Sequence, residues 1–211
     1  MIILASTSVY RQELLSRLPW SFKAVAPQLD EEAAKEKFYA EILPLIHPQS
    51  NNQPSNNFVP QKLAEYLAQQ KARSLWVNEA KSIIIGSDQV VAFQGQILGK
   101  SGSKEKSIEM LQSMQGQAHE IITAVCIKTL QAEITFCVSA QMTLRSLSQA
   151  QIVDYVNKDN PTDCAGSYKI EKSGVCLFES VQCEDWTAIQ GLPLIRLHAE
   201  LSRLLNPASR S

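Results

Sequence analysis

Near the middle of the chain, Ile83-Ile84-Ile85-Gly86-Ser87-Asp88-Gln89-Val90-Val91 sets a carboxylate inside an apolar run. β-Branched residues on either side call for an extended, largely buried segment. A charge in such a segment is costly unless it is paired or holds a metal. The pattern predicts a strand over 82–93, with Asp88 at a strand end or bulge beside a cavity, because Gly86 and Ser87 are small. Two uses of the acid stand. It holds a divalent cation or takes the proton from an attacking water, or it is a turn-forming Asp with satisfied hydrogen bonds. The strength of the flanking apolar runs favours the first.

The elements around this strand interleave. Ile2–Ala5 reads as a short buried strand, 8–18 as a helix on Leu14, Leu15 and Leu18, 21–26 as a strand, and 30–39 as a charged helix. Over 41–59, Pro44, Pro48 and Pro54 interrupt a run rich in Asn, Gln and Ser, which predicts a surface loop with Leu43, Leu45 and Ile46 as a small anchor. Pro60 opens a helix that buries Leu63, Leu67 and Leu75. Gln94-Gly95 is a turn into a second strand over 96–99. Ser103 caps a helix with Ile108, Leu111 and Met114 inside and Gly116 at its end. Long strands are expected over 119–130 and 134–147, a helix from Ser148 through Tyr155, and strands over 168–170 and 175–180. A last helix starts at about Leu192, with Pro193 in its first turn. Successive long strands among helices predict an α/β fold on a mixed sheet.

Composition narrows the function classes. The 211 residues are 45% hydrophobic and 19% charged, enough for one substantial globular unit. A formal net charge of −1 gives no field that recruits nucleic acid or an anionic membrane, so a polyanionic substrate must be held by a few local cations. Met1-Ile2-Ile3-Leu4-Ala5 is too short for a signal peptide, and no window reaches the length of a membrane span. The five cysteines (Cys126, Cys137, Cys164, Cys176, Cys183) have no CxxC spacing and read as reduced, mostly buried residues of a cytoplasmic protein. His47, His119 and His198 lack metal-ligand spacing, which argues against zinc. Trp20, Trp76 and Trp186 are too scattered for a stacking platform and are expected to be core or lobe-packing residues.

Cations and further acids complete the candidate set. Ser6-Thr7-Ser8 follows the first strand, with Arg11 one turn into the helix. Free N–H groups, hydroxyls and a guanidinium make a phosphate cradle; equally, Ser8 only caps the helix and Arg11 is a solvated surface charge. Lys71 interrupts the rhythm of its helix near the buried face. Lys100 ends the hairpin, and Asp30-Glu31-Glu32 follows the second strand.

In order along the chain, Leu4-Ala5-Ser6-Thr7-Ser8 with Arg11-x-x-Leu14-Leu15, Asp30-Glu31, Lys71-Ala72, Gly86-Ser87-Asp88-Gln89-Val90, Leu98-Gly99-Lys100, Cys164-Ala165-Gly166-Ser167-Tyr168-Lys169 and Gly191-Leu192-Pro193-Leu194 resemble the Maf family of nucleoside triphosphate pyrophosphatases. The resemblance spans nearly all of 1–211 as one catalytic domain, with 41–59 as a surface insertion. It implies a mixed, elongated β-sheet flanked by helices, similar to inosine triphosphatase, with two lobes around a nucleotide cleft. It also implies a divalent metal cation (Mg²⁺ or Mn²⁺), cleavage between the α and β phosphates, and compatibility with a homodimer. Carried over, Asp88 is the base or metal-organising acid and Glu31 assists it. Ser6, Thr7, Ser8, Arg11, Lys71 and Lys100 bind the triphosphate.

Within the family, Ser87-Asp88-Gln89 and Glu171 resemble the subgroup acting on 7-methyl-GTP, where the pyrimidine-specific subgroup carries Thr after the Asp. A carboxylate can accept two guanine N–H groups in parallel. N7-methylation makes the ring cationic, so a stacked aromatic such as Tyr10 gains a cation–π contribution. The chain departs from the subgroup at Val9-Tyr10, where Pro-Trp is usual, and that bears on base preference. The competing readings are a pyrimidine triphosphate pyrophosphatase and a non-catalytic nucleotide-binding regulator of cell division.

Overall fold

The computed structural model of the chain describes residues 1–46, 58–79 and 81–205. In chain order the elements are β1 (Ile2–Ala5), α1 (Val9–Leu15), β2 (Phe22–Val25), α2 (Glu31–Lys37), a π-helical turn (Phe38–Ile42), α3 (Leu43–Ile46), α4 (Phe58–Glu79), β3 (Ile83–Phe93), β4 (Gln96–Leu98), α5 (Lys104–Met114), β5 (Ala118–Lys128), β6 (Glu133–Leu144), α6 (Gln149–Asp159), a 3₁₀ turn (Ser173–Leu177), β7 (Phe178–Cys183), a second 3₁₀ turn (Trp186–Gln190) and α7 (Leu194–Leu205). The strands form one mixed sheet in the order β2-β1-β3-β5-β6-β7, with β4 paired to β3. β1 lies parallel to both β2 and β3; the remaining pairs are antiparallel. Sheet and flanking helices make the α/β architecture that the interleaved patterns predict.

Period-2 alternation along β3 sorts its side chains onto two faces. Ile84, Val90 and Ala92 join Leu63, Leu67 and Leu75 of α4 in one core. Ile85 packs with Leu14 and Leu15 of α1 and Leu197 and Leu201 of α7 in a second. Farther along, Val91 and Phe93 enter a third core with Leu111 and Met114 of α5 and Ile152 and Val156 of α6. β3 pairs in parallel with β1 over 83–86 and antiparallel with β4 over 91–93, so it runs from the parallel part of the sheet into the antiparallel part. Local signals act where expected. Gln94 and Gly95 both take positive φ (51° and 79°) in the hairpin turn. Ser148 and Gln151 form a capping box at α6, and Asn160 closes that helix in the left-handed region.

Several expectations are corrected. Residues 41–46, expected as loop, are helical, and Leu45 is exposed rather than an anchor; Pro48, Pro54 and His47 lie outside the described residues. Segment 168–170 is not a strand: its backbone is tied to turns, and Lys169 N–H donates to the Tyr155 hydroxyl at 2.8 Å. Val175 sits in a 3₁₀ turn, with the strand starting at Phe178. The last helix begins at Leu194, after Pro193. Of the cysteines only Cys126 is buried; Cys176 is exposed. Trp186 is exposed as well, with the Arg17 guanidinium 5.6 Å above its ring, so it is not a core residue.

Candidate active site

The closest approach of helix to sheet sets the chemistry. A Cβ built on Gly86 would lie 2.1 Å from the Ala68 carbonyl oxygen and 2.7 Å from the Ala72 nitrogen. Glycine on the strand and alanines on the helix thus let α4 rest directly on β3. Lys71 is carried with it: its Nζ donates to Asp88 Oδ1 at 2.6 Å and pairs with Glu31 Oε1 at 3.0 Å. Both Lys71 and Asp88 are 6% exposed. Asp88 is not at a strand end or bulge. It sits in the unbroken β3–β5 ladder opposite Ala124, where paired charge rather than local strain makes the buried acid tolerable.

Electrostatics separate the two acids. Burial pushes the Asp88 carboxyl above the usual carboxylate range; Lys71 and Arg11 pull it back without reversing the direction, and Glu31 adds to the rise. Partial burial acts the same way on Glu31, but there Lys71, Lys35 and Arg11 outweigh it and hold the group below its ordinary value. One acid is thereby more basic and the other more firmly ionised. Two carboxylates that share one ammonium lie side by side and present hard oxygen donors. Among the described residues no group of three or more potential metal ligands occurs. A pair of carboxylates fits Mg²⁺ or Mn²⁺, which commonly take one or two protein carboxylates and complete their shells with water and phosphate.

The opposite face of β3 holds a different network. Gln89 Nε2 donates to Thr123 Oγ1 at 2.8 Å and to the carbonyls of Ala188 and Ile189 at 2.9 and 3.1 Å. Ser87 Oγ donates to the Gly191 carbonyl at 2.8 Å. Arg11 donates through Nε to the same carbonyl at 3.0 Å and through Nη1 to the Ser87 carbonyl at 2.9 Å. Arg11 is thus a clip joining α1, β3 and the turn before α7, neither a solvated charge nor a fully free anion binder. Gly191 has φ 99°, and a Cβ there would lie 3.0 Å from Arg11 Nε. Ser87, Thr123 and Gly191 were not singled out from sequence as site residues. A hydroxyl within the apolar run Ile121-Ile122-Thr123-Ala124-Val125 was the available signal for Thr123.

Two adjoining cavities open from these faces, sharing Gln89, Lys100 and Ala165 in their walls. The first, about 560 Å³, is lined by Asp88, Glu31, Lys35 and Tyr39. The second, about 570 Å³, is lined by Thr7, Ser8, Tyr10, Arg11 and Glu171, with Val91, Ile121 and Ile189 as apolar surface. Lys100 is exposed at the junction, bridged through its backbone to Ala165. Ser6 stands back from both walls: it is buried, and its Oγ accepts the Ser8 N–H at 3.1 Å. Ser8 caps α1 by accepting the Arg11 N–H. Desolvation and the neighbouring Glu171 carboxylate raise the Tyr10 phenol above its ordinary pKa, so these two residues, distant in sequence, share the cavity mouth.

A family model described as Maf-like protein matches residues 1–204. The 7-methyl-GTP pyrophosphatase of Bdellovibrio bacteriovorus is 46% identical over 208 residues, which cover 99% of this chain and 97% of that protein. The 7-methyl-GTP pyrophosphatase of Xanthomonas oryzae pv. oryzae (strain MAFF 311018) is 37% identical, covering 98% and 96%. That of Albidiferax ferrireducens is 36% identical, covering 92% and 88%.

Proposed function

The chain belongs to the Maf family, and from that premise we propose that it hydrolyses 7-methyl-GTP to 7-methyl-GMP and pyrophosphate, clearing a modified nucleotide. The observation that carries this reading is the split of β3 between two faces. The acid pair on Lys71 lies on one side and a cavity lined by Gln89 and Glu171 on the other, joined at Lys100. Three relatives bearing that activity in their names, each aligned over most of both chains, support the choice of substrate.

Each role follows from position. The Gln89 NH₂ group is committed to Thr123 and two carbonyls, so what it offers a ligand is its carbonyl acceptor. The Glu171 carboxylate is a second acceptor. Guanine's N1–H and N2–H₂ donors suit two acceptors, whereas pyrimidines present a different pattern. Tyr10 supplies the aromatic face for a cationic methylated ring. Lys100, and the part of Arg11 not bound to carbonyls, neutralise the polyphosphate beside Thr7 and Ser8, which line the same cavity. Asp88 accepts the proton of the attacking water as the α–β anhydride P–O bond breaks, and its raised basicity suits that task. Glu31 holds Lys71 in place and stays ionised. Asp88 and Glu31 would hold the divalent cation, which when bound supplies charge neutralisation and a more acidic water. The same reading takes 1–211 as one catalytic domain with 41–59 as a surface insertion, working in the cytoplasm.

The test is pyrophosphate release from 7-methyl-GTP, GTP, dTTP, UTP and CTP, with Mg²⁺ or Mn²⁺ and with chelator. The expected result is metal-dependent preference for 7-methyl-GTP. Preference for a pyrimidine would remove the base assignment and keep the acid pair; silence on every nucleotide would leave a binding regulator.

A further inference from the structure

The cation nearest the reacting acids is poorly placed to receive a departing anion. Lys71 is buried and already faces two carboxylates, at 2.6 and 3.0 Å, so its charge is spent. Lys100 stands at the junction of the two cavities, its ammonium making no hydrogen bond or ion pair with another described residue, and is free to bridge the phosphates there. Among the described residues, the remaining cation on the wall of the Asp88 cavity is Lys35. Its ammonium donates to Glu32 Oε1 at 2.6 Å, and the Glu32 side chain is 80% exposed. Such a surface pair contributes little, so the ammonium can exchange Glu32 for a stronger anion while Glu32 turns to solvent. Tyr39, four residues on, lines the same cavity and is 45% exposed. Lys35 and Tyr39 line the same cavity as Glu31 and Asp88.

Direction follows from the proposed function, on which this inference rests. With the nucleoside in the Glu171 cavity, the polyphosphate runs past Lys100 into the Asp88 cavity. The portion beyond the broken α–β bond then emerges next to Lys35 and Tyr39. We infer that Lys35 and Tyr39 form a receiving site for the pyrophosphate product, distinct from the groups that hold the nucleotide and drive the cleavage. The arrangement gives the leaving anion charge-assisted donors on the wall of the Asp88 cavity, away from the residues that line only the Glu171 cavity.

Calorimetric titration of inorganic pyrophosphate with Mg²⁺, and separately of 7-methyl-GMP, decides this without turnover. Lys35→Ala should weaken pyrophosphate binding about tenfold, a loss in the range of one charge-assisted hydrogen bond. Lys35→Arg should restore it, and Tyr39→Phe should weaken it by a smaller factor. The monophosphate should bind each variant as it binds the unaltered protein. Lys37→Ala, on the same helix but paired with Glu41, controls for lost surface charge and should change neither affinity. Unchanged pyrophosphate affinity in Lys35→Ala overturns the site. So does equal weakening of both ligands, which would mean that the polyphosphate does not run in this direction, and so does an unaltered protein that binds no pyrophosphate. Failure of the functional reading appears elsewhere, as silence in the nucleotide panel.

Discussion

At residue scale, the chemistry turns on one buried lysine, Lys71, shared by two acids. Removing one member of a buried pair normally leaves an uncompensated charge, but Lys71 has two partners, so replacing one acid by its amide leaves the ammonium paired. Asp88→Asn is therefore expected to fold, to bind nucleotide, and to lose turnover by about 10³-fold, within the range for a missing general base. Pyrophosphate release read beside calorimetric nucleotide binding checks this, and unchanged turnover would remove Asp88 as the base. Glu171 makes the complementary case. Glu171→Ala should lower kcat/KM for 7-methyl-GTP by about 10- to 100-fold, the worth of hydrogen bonds to a charged acceptor, and lower it less for UTP. Equal losses on both substrates would mean that Glu171 does not read the base.

At element scale, the separation between α4 and β3 decides whether those residues meet. Gly86 faces backbone atoms of α4 at distances that no side chain tolerates, and the obstruction is main chain, which cannot turn aside. Gly86→Ala should push the helix outward, cost about 1–3 kcal/mol through overpacking, and lose activity by separating Lys71 and Glu31 from Asp88. A chemical-denaturation midpoint and a turnover assay report the two effects. The apolar periodicities of β3, α4 and α5, the caps at Ser103 and Ser148 and the Gln94-Gly95 turn were all legible in the sequence, since each is a local pattern. Segment 168–170 reads as a strand from its β-rich composition, but the Lys169 N–H bond to the Tyr155 hydroxyl and the turn bonds from Lys172 and Gly174 to the Lys169 carbonyl outweigh that preference. The helical run over 41–46 is not legible because Pro44 reads as a breaker; in the structure it is the second residue of α3, directly after the π-helical turn.

At the scale of the whole molecule, local periodicity does not show which distant segments meet: the pairing of Tyr10 with Glu171 is legible only through the family resemblance, and that of Gln89 and Thr123 with the turn before α7 is not legible at all. One such long-range pairing gives the fold a pH signature of its own. His119 on β5 is 3% exposed, and its Nε2 shares a hydrogen bond of 2.8 Å with the Tyr168 hydroxyl. Its Nδ1 is buried without a hydrogen-bond partner among the described residues. Burial pushes the imidazole down from 6.5 to about 4, so the folded protein holds it neutral. As pH falls below 6.5 the unfolded chain takes up the proton first and gains stability relative to the native state. The contribution is therefore complete above pH 6.5 and declines down to about pH 4, by about 3 kcal/mol in all. Carboxylates add their own slope in the same range, so the test is a difference between two proteins. His119→Val with Tyr168→Phe removes both hydrogen-bond partners together and leaves neither polar group orphaned. Urea denaturation at pH 7 and pH 4.5 should show the unaltered protein losing more stability between the two than the double variant. Equal losses would mean that His119 becomes protonated as readily in the folded chain as in the unfolded one.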